Sequence, residues 1–126
     1  MTIPSHLRYT EEHEWLEIDG DLARVGITAY AADALGDVVF VDLPEIGAAL
    51  AAGEPCGEVE STKSVSDLCA PGDGEVIERN EAALGDPALL NSDPFGSGWL
   101  FRMRLTRLPD LLDADGYTVL TGAPPA

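Results

Sequence analysis

Lysine is almost absent from this chain. There is one, Lys63, among 126 residues; the other six basic side chains are arginines, set against 23 acidic ones. The resulting formal charge of −16 repels phosphate backbones and anionic lipid, which argues against nucleic-acid binding and membrane adsorption. Long apolar runs are also missing: none approaches the roughly 18 residues needed to span a bilayer. Two cysteines, Cys56 and Cys69, are too few for a disulfide framework. Neither belongs to a CxxC pair, and the two histidines, His6 and His13, both lie near the N-terminus, so no metal-ligand spacing is present. No glycine-rich phosphate loop precedes a helix. Gly96-Ser97-Gly98 is only a fragment of a nucleophile elbow, placed in a turn before Trp99. The opening residues, Met1 to His6, carry neither a basic-apolar signal nor an Arg/Ser-rich transit character. The expected location is the cytoplasm of a bacterium, with a processed mitochondrial protein as the alternative.

What is present is a foldable chain. Apolar residues make up 45% of it and recur along its length, unlike the composition of disorder. We expect one domain over 1–126, with a loose tail at 122–126. The pattern is mostly β. Residues 14–18 and 22–27 read as two strands joined through Asp19-Gly20. Thr28 caps a helix over 29–35 that Gly36 stops. Strands follow at 38–41, 55–60, 65–70 and 75–79. A short helix is expected after Asp86-Pro87, with Asp86 as N-cap and Pro87 at the first helical position. Residues 99–105 alternate apolar and basic, as a half-buried strand does. Pro109 to Ala114 suggests a last amphipathic helix.

Lys63 sits in Glu60-Ser61-Thr62-Lys63-Ser64-Val65-Ser66-Asp67, between two of these strands. It is the only basic residue between Arg24 and Arg79, a window holding eleven carboxylates. As an ordinary surface amine it would form an ion pair worth at most about 1 kcal/mol. A Schiff-base lysine would need a desolvated site, and the surrounding serines and carboxylates oppose that. An acylated lysine at a hairpin tip fits better, since lysine, unlike arginine, can be acylated. Local propensity does not explain the turn, because Thr62-Lys63 lacks the Gly or Asn that positive φ favours. With those two residues at its centre, Cys56 and Cys69 fall opposite each other, so the thiols are expected to be cross-strand neighbours, reduced in a cytosol.

Several motifs now fall in order: His13-Glu14-Trp15, Gly26-Ile27-Thr28, Leu35 to Gly47, Ala52-Gly53-Glu54, Glu58 to Asp67, Ala70-Pro71, Gly74-Glu75-Val76, Asn91 to Gly96 and Gly98-Trp99-Leu100. Together they resemble the glycine cleavage system H proteins from about Tyr9 to about Tyr117. The resemblance implies a flattened β-sandwich, the barrel-sandwich hybrid of the lipoyl-domain type, with a few short peripheral helices. It implies lipoate in amide linkage on Lys63, with Glu60, Ser61 and Asp67 as recognition residues around the attachment site. Glu14 and Asp67 occupy positions of a pocket that would receive the loaded, cationic arm. The implied partners are a pyridoxal-phosphate glycine decarboxylase (P protein), a tetrahydrofolate-dependent aminomethyltransferase (T protein), dihydrolipoyl dehydrogenase (L protein), and a lipoate ligase or octanoyl transferase. The carrier itself would turn nothing over. Two departures from the family pattern are Thr62, where an apolar β-branched residue is common, and Cys69, where an aromatic is common.

Other readings use the same lysine. A relay donating lipoyl groups to 2-oxo-acid dehydrogenase complexes would need identical residues. A biotin carrier normally has methionine on both sides of its lysine, and here Thr62 and Ser64 stand there. A scaffold protein would tolerate Lys63→Arg. The negative field favours a monomer.

Overall fold

The computed structural model describes residues 4–107 and 110–121. Among these residues nine strands form two antiparallel sheets. The larger has the order β1-β2-β3-β9-β8-β5, from Arg8–Tyr9, Glu14–Asp19, Leu22–Ile27, Phe101–Arg107, Asp73–Arg79 and Ala49–Leu50. The smaller has the order β4-β6-β7, from Val38–Asp42, Pro55–Ser61 and Val65–Cys69. Helices α1 (Ala29–Leu35), α2 (Glu81–Gly85), α3 (Leu89–Ser92) and α4 (Ala114–Thr121) lie at the periphery.

Alternation builds the core. On β9, Phe101, Met103 and Leu105 turn inward while Arg102 and Arg104 stay outside, the period-2 pattern of a half-buried strand. They meet Val25, Val41, Val59, Leu68 and Val76 from the other strands in one cluster between the sheets. Burying each such aliphatic side chain contributes about 1.5–3 kcal/mol. A second, aromatic cluster joins Leu7, Tyr9, Trp15 and Tyr117 and so fixes α4 to β1 and β2. Gly26 lies opposite Trp15 in the ladder. Any Cβ there would come within 2.5 Å of the indole, so only glycine leaves room for the ring.

Helix α1 forms as its caps require. Thr28 accepts from the Ala31 N–H at 3.2 Å, and Gly36 ends the helix at φ 82, a conformation glycine reaches without steric cost.

Several expectations shift. The first hairpin turns on Gly20-Asp21 rather than Asp19-Gly20, because Asp19 still pairs with Leu22. Only Gly20 has positive φ, at 65, which suits a type II′ turn. The helix near Asp86-Pro87 starts later, at Leu89, and Asp86 instead offers its carbonyl to the Leu89 N–H. The strand expected from Trp99 begins at Phe101. The last helix is α4, beyond the expected one. Leu112 instead pairs with Tyr9, and Asp113 caps α4 by accepting from the Gly116 N–H at 2.8 Å. Pro109 and the 122–126 tail lie outside the described residues.

The cysteines are not in register. Pro55 pairs with Cys69 and Gly57 with Leu68, which leaves Cys56 in a β-bulge. Gly57 is pressed against β4, where a Cβ would fall 2.2 Å from the Asp42 carbonyl oxygen. That close approach coincides with the bulge that moves Cys56 off its expected partner. Both thiols are free, and burial pushes Cys56 up to about 12 and raises Cys69 as well.

Candidate functional site

Strands β6 and β7 form the lysine hairpin. From Glu58↔Asp67 through Val59↔Ser66 to Glu60↔Val65 the register leads to a tip at Thr62-Lys63, closed by Ser61 N–H donating to the Ser64 carbonyl at 2.8 Å. Among the described residues only His13 is a non-glycine with positive φ, so this is not one of the mirror-image turns. Ser61 supplies what glycine or asparagine would have supplied. Its buried hydroxyl oxygen accepts from the Ser64 N–H at 3.1 Å and the Lys63 N–H at 3.3 Å, a hydroxyl-closed turn.

The tip rests on a second loop. The Thr62 N–H donates to the Asp37 carbonyl at 3.1 Å. Asn91, on α3, holds that loop from both sides: its amide donates to the Gly36 carbonyl at 2.8 Å and accepts from the Val38 N–H at 2.9 Å. Gly36 also gives the lysine stem its bed, since a Cβ at Gly36 would stand 3.4 Å from Lys63 Cε. The lysine is exposed and belongs to none of the ion pairs among the described residues. Outward from it the sheet presents two rows: Phe40, Glu60 and Val65, then Asp42, Glu58 and Asp67. All six are exposed.

A cleft of about 180 Å³ opens along α1, lined by Ala31, Ala34 and Leu35, with Ser66, Asp67 and Leu68 of β7 and Glu12, His13 and Glu14 from the approach to β2. The structure thus brings Glu14 and Asp67 to one cavity. Their surroundings differ. Asp67 is exposed, whereas Glu14 retains 2% of its surface. Burial pushes the Glu14 carboxyl up to about 7, opposed by the Thr10 hydroxyl, which donates to its Oε1 at 2.8 Å. Among the described residues no ion pair reaches it, so an ionised Glu14 lacks the partner that a buried charge requires. Larger grooves of about 410 and 440 Å³ lie elsewhere, and neither is lined by any residue of the 60–67 segment.

Sequence reasoning named His13 and Thr28 but did not connect them to each other or to Tyr117 behind the cleft. His13 Nδ1 lies 2.8 Å from the Tyr117 hydroxyl, which lies 2.7 Å from Thr28 Oγ1. These residues are up to 104 positions apart, so no local pattern joins them. Asn91 appeared only inside a motif, with no role. Among the described residues no group of His, Cys, Asp and Glu could hold a metal ion.

Two antiparallel sheets with a few short helices make up a fold of the lipoyl type. The family model for "Glycine cleavage H-protein" matches residues 7–120. The chain is 59% identical over 121 residues to the glycine cleavage system H protein of Beutenbergia cavernae, covering 96% of this chain and 98% of that one. It is 58% identical over 125 residues to that of Streptomyces coelicolor, covering 98% and 100%. The crystal structure of a glycine cleavage system H protein from Mycobacterium marinum superposes with a TM-score of 0.91 at 51% identity, covering 95% of this chain and 99% of that one. The chain belongs to the glycine cleavage H-protein family, and its role is that of lipoyl carrier in the glycine cleavage system.

Proposed function

We propose that Lys63 carries lipoate in amide linkage and that the loaded arm returns along α1 into the Glu14 cleft. One observation carries this reading. The lysine stem leans on Gly36, the C-terminal stop of α1, and Ala31, Ala34 and Leu35 of the same helix line the cleft. A chain attached at the tip therefore has an apolar track leading to a buried carboxylate.

The groups present suit each stage. An exposed amine on a tip held by Ser61 and the Asp37 loop can enter an acylating enzyme without rearrangement. Glu60, Ser61 and Asp67 are what that enzyme, a lipoate ligase or octanoyl transferase, reads around it. Acylation removes the one positive charge between Arg24 and Arg79, leaving an acidic face that basic patches on the P, T and L proteins recognise. Lipoate supplies a dithiolane that accepts the aminomethyl group of glycine and is reoxidised at the end of the cycle. The chain's own residues tether, shelter and present it. Tethering raises the effective concentration of the intermediate at each partner, and a carrier of this kind needs no catalytic residue. In the cleft, the aminomethyl ammonium is the counter-ion that desolvated Glu14 lacks, with Asp67 at the rim. The carrier acts as a monomer, one domain over 1–126, in the bacterial cytoplasm.

Intact-mass analysis after co-expression with lipoate and its ligase tests the attachment. Wild type gains the mass of one lipoyl group and Lys63→Arg gains nothing. Equal masses, apart from the substitution, refute the assignment.

A further inference from the structure

Three side chains form a hydrogen-bonded chain from the C-terminal helix to the cleft wall: Thr28, Tyr117 and His13, at 2.7 and 2.8 Å. Distances alone do not say which way the protons point. The surroundings of Thr28 do. Thr28 is 1% exposed, and its Oγ1 already accepts from the Ala31 N–H. Among the described residues its only other partner is the Tyr117 hydroxyl. If Tyr117 donated to Thr28, the buried threonine proton would have no acceptor, and an unmade buried donor is costly. If Thr28 donates to Tyr117, every proton is used: Thr28 O–H to Tyr117, and Tyr117 O–H to His13 Nδ1. The only proton left on a neutral imidazole is then at Nε2. Nε2 has no protein partner among the described residues, and the ring lines the cleft.

We infer that this chain locks His13 as the Nε2–H tautomer, so that the imidazole on the cleft wall offers a donor and cannot take a proton from the arm's ammonium. Tyr117 is thereby a positioning residue of the carrier, acting through His13. The inference rests on the sheltering role of the cleft proposed above.

Its value lies in how the loaded group is lost. Loss from –S–CH2–NH3⁺ begins when a base removes one ammonium proton. The freed lone pair then forms a C=N bond as the C–S bond breaks, leaving a thiolate on the arm and CH2=NH2⁺. Water adds to that cation to give formaldehyde and ammonium, and the thiolate takes up the proton held by the base. An imidazole with a free lone pair at Nε2 would be such a base. The lock removes that lone pair without placing a charge in the cleft.

Other features support a neutral, fixed ring. Burial lowers the His13 pKa below its usual value, with Glu12 opposing, while burial pushes Tyr117 up to about 12, so its hydroxyl keeps its proton. Tyr30 tilts against the imidazole at 4.9 Å and Tyr117 meets it edge-on at 5.7 Å. The His13 backbone is held at φ 70, with its carbonyl accepting from the Thr28 N–H at 3.0 Å. The other titratable groups at the cleft are Glu12, Glu14 and Asp67.

Nitrogen-15 NMR of the unloaded protein at neutral pH reads the tautomer directly. The proton is expected on His13 Nε2; finding it on Nδ1 overturns the inference. Tyr117→Phe keeps the ring stacked on Tyr9 at 4.7 Å but removes the hydroxyl. In the loaded protein it should lose the aminomethyl group about tenfold faster, below the full effect of a well-placed base. In a His13→Asn background, where Asn tolerates the left-handed backbone and is no base, adding Tyr117→Phe should change that lifetime less than twofold. An equally large loss in that background marks a merely structural effect and overturns the inference. Glu14→Ala separates the two layers. If it leaves the lifetime unchanged, the sheltering reading fails. If it shortens the lifetime while Tyr117→Phe does not, sheltering stands and the tautomer lock falls.

Discussion

At the hairpin tip every side chain from Thr62 to Asp67 is exposed, whereas at the cleft Glu14 retains 2% of its surface. The two sites lie along one helix and are built in opposite ways. The tip fixes its backbone and leaves Lys63 in water, with Ser61, Asp37 and Asn91 directing their hydrogen bonds to main chain. The cleft takes Glu14 out of water and, among the described residues, gives it no ion-pair partner. A tip of that kind suits a lysine that must enter several enzymes. A cleft of that kind suits a positive group that must be held and later released. Desolvation disfavours the ionised carboxylate, and a cation entering the cleft would be bound the more strongly for it.

The largest way to break this contrast on the protein alone is Glu14→Gln. The folded carboxyl titrates near 7 against an ordinary value of 4.5. Between those values the folded state holds a proton that the unfolded chain has released. Stability is therefore highest below the ordinary value and falls as pH rises through about 7. A neutral amide should recover up to about 3 kcal/mol near pH 8 and nothing near pH 4. Urea unfolding at the two pH values measures this, and an equal gain at both would mean that charge burial is not the cause.

A smaller effect is expected at the tip. Ser61→Ala removes the acceptor of two backbone N–H groups, at a cost of about 1 kcal/mol because water reaches part of the turn. It should also slow acylation of Lys63 without abolishing it, since the amine itself is unchanged. Melting temperature and a modification time course measure the two effects. A modification rate equal to wild type would show that the tip's geometry is not what the acylating enzyme requires.

Sequence exposed the two sites unequally, for a physical reason. The hairpin strands, α1 with both caps and the alternation of β9 are local: each follows from residues within one or two turns or one strand. Glu14 and Asp67 could be named only through a resemblance of ordered motifs, since nothing local marks a buried acid among 23 carboxylates. The Cys56 bulge escaped because a register rule counts residues, and Gly57 is pressed against a strand that the count does not contain. Pro109 to Ala114 reads as a helix that would contain Asp113, whereas Asp113 caps the next one, α4, from which Tyr117 reaches back to His13. Contacts spanning 104 positions leave no periodic trace. The turn at Thr62-Lys63 looked unsupported because its support is a side chain, Ser61, rather than a backbone preference.

The central claim is that a group attached at the tip rests in the cleft. The most direct measurement compares backbone amide NMR spectra of the lipoylated protein with the arm free and with the arm carrying its aminomethyl group. The account predicts that loading moves the signals of Glu14, Ala31, Leu35 and Leu68 while those of Arg102 and Arg104 on β9 stay in place. Changes confined to Thr62 through Ser64, with the cleft signals unmoved, would contradict it.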